Sequence, residues 1–243
     1  MTEQQILNEE NLTSMNEVQR SIVLRQKEIH NHETHEVDFD VTGEGDYLKS
    51  FYLMKGVFSP FASSARYHAR FLFYNSHSFQ DKTVCDIGCG SGILGTVMAK
   101  YGAKKVIMSD VSKFALENTR TNIQKFGLES ICDIRESDLF SNIPEKADTI
   151  IWNIPFFEGN PPKGDTISAS MMMTKELFDR FLMEAKYHLN SGGVVLVPSY
   201  SLGGHDPMIK GVEQGYQVKR VWKHDSVSGI QKGLLYIDEL TPK

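Results

Sequence analysis

The sequence predicts an α/β domain: a doubly wound sheet, mostly parallel, with an antiparallel C-terminal strand pair and an N-terminal cap of helix and strand. Three observations predict it. Residues 84–87 form an apolar strand that runs into Gly88-Cys89-Gly90-Ser91-Gly92 and then opens a helix at Ile93. Strand and helix patterns alternate from there to about residue 189, which implies parallel strands with helices on both faces. Residues 217–222 and 234–238 then follow as two strands with no helix between them. In such a sheet, ligands bind beyond the carboxyl ends of the strands, where the strand order reverses.

The elements are expected in the following order. Residues 3–29 read as a polar helix with a partial apolar stripe of Ile6, Leu7, Val18, Ile22, Val23 and Leu24. Residues 37–41 alternate apolar and acidic side chains as a strand, punctuated by Gly43 and Gly45. This block, residues 1–55, is expected to be an extension or substrate-side cap, and residues 56–243 the main domain. The first sheet strand covers 83–87 and its helix 93–101; the second strand covers 105–109. A helix over 112–126 turns Phe114, Leu116, Ile123 and Phe126 to the sheet. The third strand is 131–135 and the fourth 149–152. A helix over 175–189 ends at Asn190-Ser191-Gly192-Gly193, read as its C-cap. A fifth strand over 194–198 and a short helix over 208–215 precede the antiparallel pair.

Composition narrows the function. A chain of 243 residues suffices for one such domain plus an extension, and buries roughly 70–75% of its unfolded surface without staples. The net charge of -5 argues against a bulk nucleic-acid binder. Three cysteines, Cys85, Cys89 and Cys132, are an odd number, and two flank or occupy the glycine turn. That pattern favours free thiols in a reducing cytoplasm over a disulfide framework. No apolar run approaches a membrane span, and the polar N-terminus does not read as a signal peptide.

The glycine turn carries the first chemistry. Gly88, Gly90 and Gly92 let backbone approach a ligand without Cβ interference. The helix that follows offers unpaired N–H groups and a positive dipole end, which suits a nucleotide or nucleoside. Asp110 stands at the next strand end, twenty residues after Gly90, where a carboxylate accepts from both ribose hydroxyls. Asp86, just before the first glycine, would repel phosphates and suits an ammonium-bearing ligand. That weighs against a dinucleotide dehydrogenase. After the apolar run 149–152 comes Asn153-Ile154-Pro155-Phe156.

With Asp86-x-Gly88-x-Gly90-x-Gly92 and this tetrapeptide, the chain resembles the class I S-adenosylmethionine-dependent methyltransferases. Asn-Ile-Pro-Phe resembles a relaxed Asn-Pro-Pro-Tyr/Phe motif of their amino-methylating branch, with Ile154 in place of the first proline. The resemblance covers roughly residues 56–243 and implies a Rossmann-like sheet with S-adenosylmethionine as co-substrate. It implies that Asp86 anchors the donor's amino-acid end, that Gly88, Gly90 and Gly92 give it backbone approach, that Asp110 reads the ribose, and that Cys89 and Val111 also bind the donor. Asp138 would accept from the adenine amino group while Leu139 offers its N–H to the ring. Residues 56–64 resemble the segment before the first motif in HemK-type glutamine methyltransferases, although Ser63 and Ser64 stand where that family carries acidic residues. Ser59 and Ser64 either contact the donor or pack.

The reaction expected is N-methylation of a planar nitrogen. Methyl transfer needs a nitrogen lone pair aligned with the methyl carbon at about 3–3.5 Å. The Asn153 side-chain carbonyl and the Ile154 backbone carbonyl would accept from the acceptor's N–H bonds and stabilise the developing positive charge. Pro155 restricts its neighbour's backbone, and Phe156 offers a ring for a planar substrate. Asn153 would touch donor and acceptor alike. The methyl acceptor is a protein side-chain amide, a nucleobase amino group or a nitrogen-bearing small molecule.

Two rivals stand beside this. One is a small-molecule O-methyltransferase, for which His205, after Gly203-Gly204, would be the general base. The other is a non-catalytic methyltransferase fold that binds a partner, against which the intact glycines speak. Residues 157–174, rich in Gly, Pro, Ser and Met, are placed for substrate selection, with Met171-Met172-Met173 packing at a helix start or, as the second reading, lining an adaptable pocket. His30, His32 and His35 read as a solvated junction, not a metal site. Lys219, Arg220 and Lys223 read as a solvated face.

Overall fold

The computed structural model describes residues 15–62, 64–228 and 231–243. It opens with α1 (Glu17–His30), started by a reciprocal capping box between Asn16 and Gln19. Residues 1–14, which the expected helix included, lie outside the described residues. Two antiparallel strands follow, β1 (His35–Asp40) and β2 (Tyr47–Leu53), then α2 (Ala65–Tyr74). The main sheet begins with β3 (Thr83–Ile87), α3 (Ile93–Lys100), β4 (Lys105–Asp110), α4 (Lys113–Lys125) and β5 (Cys132–Glu136). It continues with β6 (Ala147–Trp152), the short β7 (Phe157–Glu158), a single turn α5 (Thr166–Ala169) and β8 (Met172–Met173). Helix α6 (Lys175–Ala185), β9 (Leu189–Tyr200), α7 (Pro207–Glu213), β10 (Tyr216–Ser228) and β11 (Gln231–Pro242) complete the chain.

Seven strands form one sheet in the order β10-β11-β9-β6-β3-β4-β5. Five pair with one another in parallel, and β11 runs antiparallel to both β9 and β10, so that β10 points the same way as those five. The chain builds outward from β3 to β4 and β5, then returns to β3's other side with β6. The order therefore reverses between β3 and β6, which brings the ends of Ile87 and Trp152 together. The expected architecture, five parallel strands and an antiparallel pair, is the one observed.

Several elements differ from expectation. Strand β2 and helix α2 were not anticipated, and Phe39, Leu48, Phe51, Leu53 and Leu72 join the same buried cluster as Val97 and Met108. Asn190-Ser191-Gly192-Gly193 is no helix cap. Helix α6 stops at Ala185, a 3-10 turn covers Lys186–His188, and the four residues lie within β9. The register there jumps from Ala147↔Leu189 to Thr149↔Val194, so these residues bulge opposite Asp148, whose Oδ1 accepts from Asn190 Nδ2 at 2.7 Å. Leu116 and Ile123 of α4 face the core as expected, but Phe114 is 58% exposed and lies on the wall of a cleft.

A hydrogen-bonded cluster also ties the small hairpin to the sheet's glycine turn. Asn118 and Asn122, one turn apart on α4, are fully buried. Their Oδ1 atoms each accept a backbone N–H, Met54 for Asn118 and Tyr52 for Asn122, both at 2.7 Å. Their amide groups donate to Tyr52 O and to Ser91 O, at 3.0–3.2 Å. Two carboxamides thus join β2 to the glycine turn with their polar groups satisfied.

Candidate active site

A cleft of about 940 Å³ opens at the carboxyl ends of β3, β4 and β6. Asp86, Gly88, Cys89, Gly90, Asp110, Val111, Asp138, Leu139, Asn153 and Pro155 all line it. The residues singled out from sequence are therefore mostly brought together by one topological crossing.

The turn after β3 needs its glycines. Gly88 sits at φ +60°, and a Cβ there would lie 2.8 Å from Trp152 Nε1. Gly92 sits at φ +84° as the N-cap of α3, where a Cβ would lie 2.8 Å from Thr119 Oγ1. Gly92 has no side chain to cap α3. Asp86 replaces that cap: its Oδ2 accepts the Gly95 N–H at 2.9 Å, inside the first turn. Asp86 is only 2% exposed, and burial pushes its carboxyl up to about 7; the Gly95 N–H opposes the rise and the Asp110 charge adds to it.

Asp110 ends β4 and accepts the Gly90 N–H at 3.0 Å and the Ser112 N–H at 2.8 Å, one on each oxygen. Burial raises its pKa against those bonds. It fixes the turn and the start of α4 while its remaining lone pairs are available to a ligand. The Cys89 N–H donates to Ser109 O at 2.8 Å, and burial pushes its thiol far above the ordinary range. Cys85 and Cys132 are likewise pushed up to about 12, chiefly by burial, which disfavours the thiolate in all three.

Across the cleft, Asp138 is ion-paired with Arg180 of α6, a partner not read from sequence. One Asp138 oxygen is thus engaged already. Leu139 holds φ +47°, a left-handed value rare for a leucine, with Ser137 Oγ donating to its carbonyl at 2.9 Å. Residues 160–166 and 172–174 close the same cleft, so the segment expected to select substrate does wall it. Met171, Met172 and Met173 are all buried; Met172 and Met173 form β8, paired with β7, and also reach the cleft.

The Asn153 tetrapeptide divides. Asn153 and Pro155 face the cleft. Ile154 is buried in the cluster that holds Trp152 and Phe181. Phe156 is outside the cleft lining and packs 5.8 Å from the Tyr200 ring and 6.4 Å from His68. Asn153 Oδ1 lies 3.1 Å from Nδ1 of His68, a wholly buried residue of α2. Burial lowers the His68 pKa to about 3, and the Asn153 contact opposes the shift. No sequence signal marked His68: a lone histidine in an aromatic-rich segment reads as packing.

Other expectations are corrected by their contacts. Phe58, Pro60 and Ala65 reach the cleft; Ser59 is buried and gives its N–H to His30 Nδ1 at 2.9 Å, and Ser64 starts α2 without a cap bond. Ser63 lies outside the described residues. His30 is no solvated junction but is buried, its ring 3.7 Å from that of Phe58. His205 is also buried, its Nε2 3.2 Å from Met173 O and its pKa lowered by burial, behind the cleft wall instead of in it. Arg220 is not merely a solvated charge, since it clamps fully buried Asp238 at 2.8 and 3.1 Å over the Tyr236 ring. Among the described residues, no His, Cys, Asp or Glu cluster could hold a metal ion and no helix is long and apolar enough to cross a membrane.

A buried carboxylate before a glycine turn, an acidic second strand end and an Asn-x-Pro corner at one strand crossing define a class I S-adenosylmethionine-dependent methyltransferase. The chain belongs to the methyltransferase small domain family, whose model matches residues 50–224. It is 29% identical over 156 residues to a Methanocaldococcus jannaschii protein assigned by inference as an N5-glutamine methyltransferase, covering 61% of this chain and 77% of that one. It is 31% identical over 136 residues to ribosomal RNA small subunit methyltransferase C of Haemophilus influenzae, covering 56% of this chain and 37% of that one. Its fold matches the T. thermophilus 16S rRNA N2 G1207 methyltransferase with a TM-score of 0.63 at 16% identity, over 87% of this chain and 51% of that one. The chain is an enzyme of this family with S-adenosylmethionine as its co-substrate.

Proposed function

We propose that the chain methylates a planar nitrogen, a protein side-chain amide or a nucleobase amino group, and that Asn153 carries the reaction. The observation that carries this reading is the meeting of Asn153 with Asp86, Gly88 and Asp110 in one cleft. The side-chain carbonyl of half-buried Asn153 and the Ile154 backbone carbonyl accept the two N–H bonds of the acceptor nitrogen. That draws its lone pair out of conjugation and stabilises the positive charge that develops on it. The methylated nitrogen is then acidic and loses its proton to water. No side-chain base is required; His68 and His205 both lie outside the cleft lining, and burial lowers the basicity of each. The relative matched over most of its length is assigned to glutamine, which supports the amide; the ribosomal RNA relative supports the nucleobase.

The N-terminal block acts as a brace on the acceptor side. Lys27 of α1 pairs with Asp165 at 2.5 Å, Gln19 Nε2 donates to Leu202 O at 2.9 Å, and His30 holds Ser59. Helix α1 thereby touches two of the segments that wall the cleft, 56–60 and 160–166. Three free cysteines support a reducing, cytoplasmic setting.

Labelled methyl transfer into separated protein and RNA fractions, with mass spectrometry of the product, tests the reading. A mark on nitrogen supports it; a mark on oxygen refutes it.

Asp86 adds a pH signature. A carboxyl raised to about 7 holds its proton more tightly when folded. Its contribution to stability is full below about pH 4 and declines as pH rises through about 7. A donor that brings its ammonium to Asp86 favours the charged form and lowers that value. Donor affinity is therefore expected to fall below pH 7, by up to about tenfold per unit, and Asp86→Asn to bind weakly at every pH. Calorimetric titration with S-adenosylhomocysteine from mildly acidic to mildly alkaline pH reads this directly; a flat wild-type profile contradicts it.

A further inference from the structure

His68 lies outside the cleft lining, yet touches the side chain on which the proposed chemistry turns. Its Nδ1 is 3.1 Å from Asn153 Oδ1. The ring is held edge-on by Phe156, centroids 6.4 Å apart at 81°, and by Trp222, 6.0 Å apart at 77°. Among the described residues its Nε2 has no hydrogen-bond partner.

An asparagine carboxamide is nearly symmetric in shape. Turned by half a rotation, it presents an NH2 donor where its oxygen stood. A reaction that needs an acceptor against substrate N–H bonds fails with the wrong face forward, because donor meets donor. Two arrangements are open to the pair. In the first, His68 Nδ1–H donates to Asn153 Oδ1, and a bare lone pair is left at Nε2. In the second, Asn153 Nδ2 donates to a bare Nδ1, and the ring proton sits at Nε2 as a buried N–H without an acceptor. Orphaned buried N–H groups are the rarer and more costly kind, so the first arrangement wins. One Oδ1 lone pair is then committed to His68 and the other is left for the acceptor.

We propose that His68 is a positioning residue: locked as the Nδ1–H tautomer by its apolar surroundings, it fixes the Asn153 carboxamide with oxygen as the acceptor. This rests on the reading of Asn153 given above and adds what orients that residue. His68 needs no charge for the task, and burial keeps it neutral throughout the physiological range. Methyl transfer through Asn153 would thus depend on a group that touches neither substrate.

Long-range proton–nitrogen correlation spectra of the nitrogen-15-labelled full chain at neutral pH test this without any acceptor. Wild type is expected to show a protonated Nδ1 and a bare Nε2 at His68, and Asn153→Ala to shift the ring toward the Nε2–H form. An Nε2–H tautomer in wild type, or a ring unmoved by Asn153→Ala, overturns the proposal. His68→Asn keeps a donor near the Nδ1 position, and His68→Phe keeps only the shape. The Asn153 carboxamide resonances are expected to move in His68→Phe and to return in His68→Asn, with S-adenosylhomocysteine affinity unchanged in both. Resonances that stay put in His68→Phe also overturn it. Failure of the Asn153 reading is seen separately, as methyl transfer that survives Asn153→Ala.

Discussion

Asn153→Ala is expected to lower methyl transfer about 100- to 1000-fold, the usual cost of losing one preorganised hydrogen bond to a developing charge. The loss falls on turnover more than on donor affinity. Asn153 forms one patch of a wall to which the turn after β3, the end of β4 and residues 56–60, 137–139, 160–166 and 172–174 also contribute. Asp86 and Asp110 remain in place for the donor. Single-turnover rates and calorimetric affinities, measured on the same preparations, separate the two quantities. Equal losses in rate and affinity would make Asn153 a donor-binding residue only. An unchanged rate would remove it from the chemistry altogether.

Asp110→Ala is expected to abolish stabilisation by S-adenosylhomocysteine. At about a hundred times its Kd, the ligand adds about 2.7 kcal/mol to the wild-type chain, a rise in Tm of several degrees. Losing two hydrogen bonds to a charged group, at about 1.5–3 kcal/mol each, weakens binding at least 100-fold and removes that rise. Asp110 also holds the Gly90 and Ser112 N–H groups, so the unliganded Tm falls as well. Asp110→Asn keeps one acceptor oxygen and separates the effects: its unliganded Tm recovers part of the loss while the ligand shift stays small. A full shift in Asp110→Ala would place the ribose elsewhere. NAD, whose phosphates meet Asp86, is expected to shift neither variant nor wild type.

The sheet and the cleft wall formed by the turn after β3 and the end of β4 were legible because local chemistry dictates them. Apolar runs of five or six residues end in Gly88, Asp110 and Asn153, and parallel pairing of adjacent strands brings the three ends to one edge of the sheet. The unread parts had no local signature. Strand β2 is interrupted by Ser50 at φ +53°, which breaks its alternation. Helix α2 begins at Ser64 in helical geometry with no side-chain cap bond, so its start signal is missing. Gly192 and Gly193 carry the composition of a helix end, but a bulge opposite Asp148 calls for the same residues. The pairings His68 with Asn153 and Asp138 with Arg180 join residues 85 and 42 positions apart. Periodicity says nothing about such contacts, which exist only once the helices have packed.

Asn118 and Asn122 carry a consequence for how the molecule opens. Their carboxamides are shared between Tyr52 of the hairpin and Ser91 of the glycine turn. Detaching β2 would strand buried amide groups at both ends of that bridge, and loosening the turn would do the same from the other side. The two segments are therefore expected to open and close as one foldon, with matching amide-exchange protection. Whatever free energy a nucleoside adds at the turn is felt equally by a strand that lies outside the main sheet.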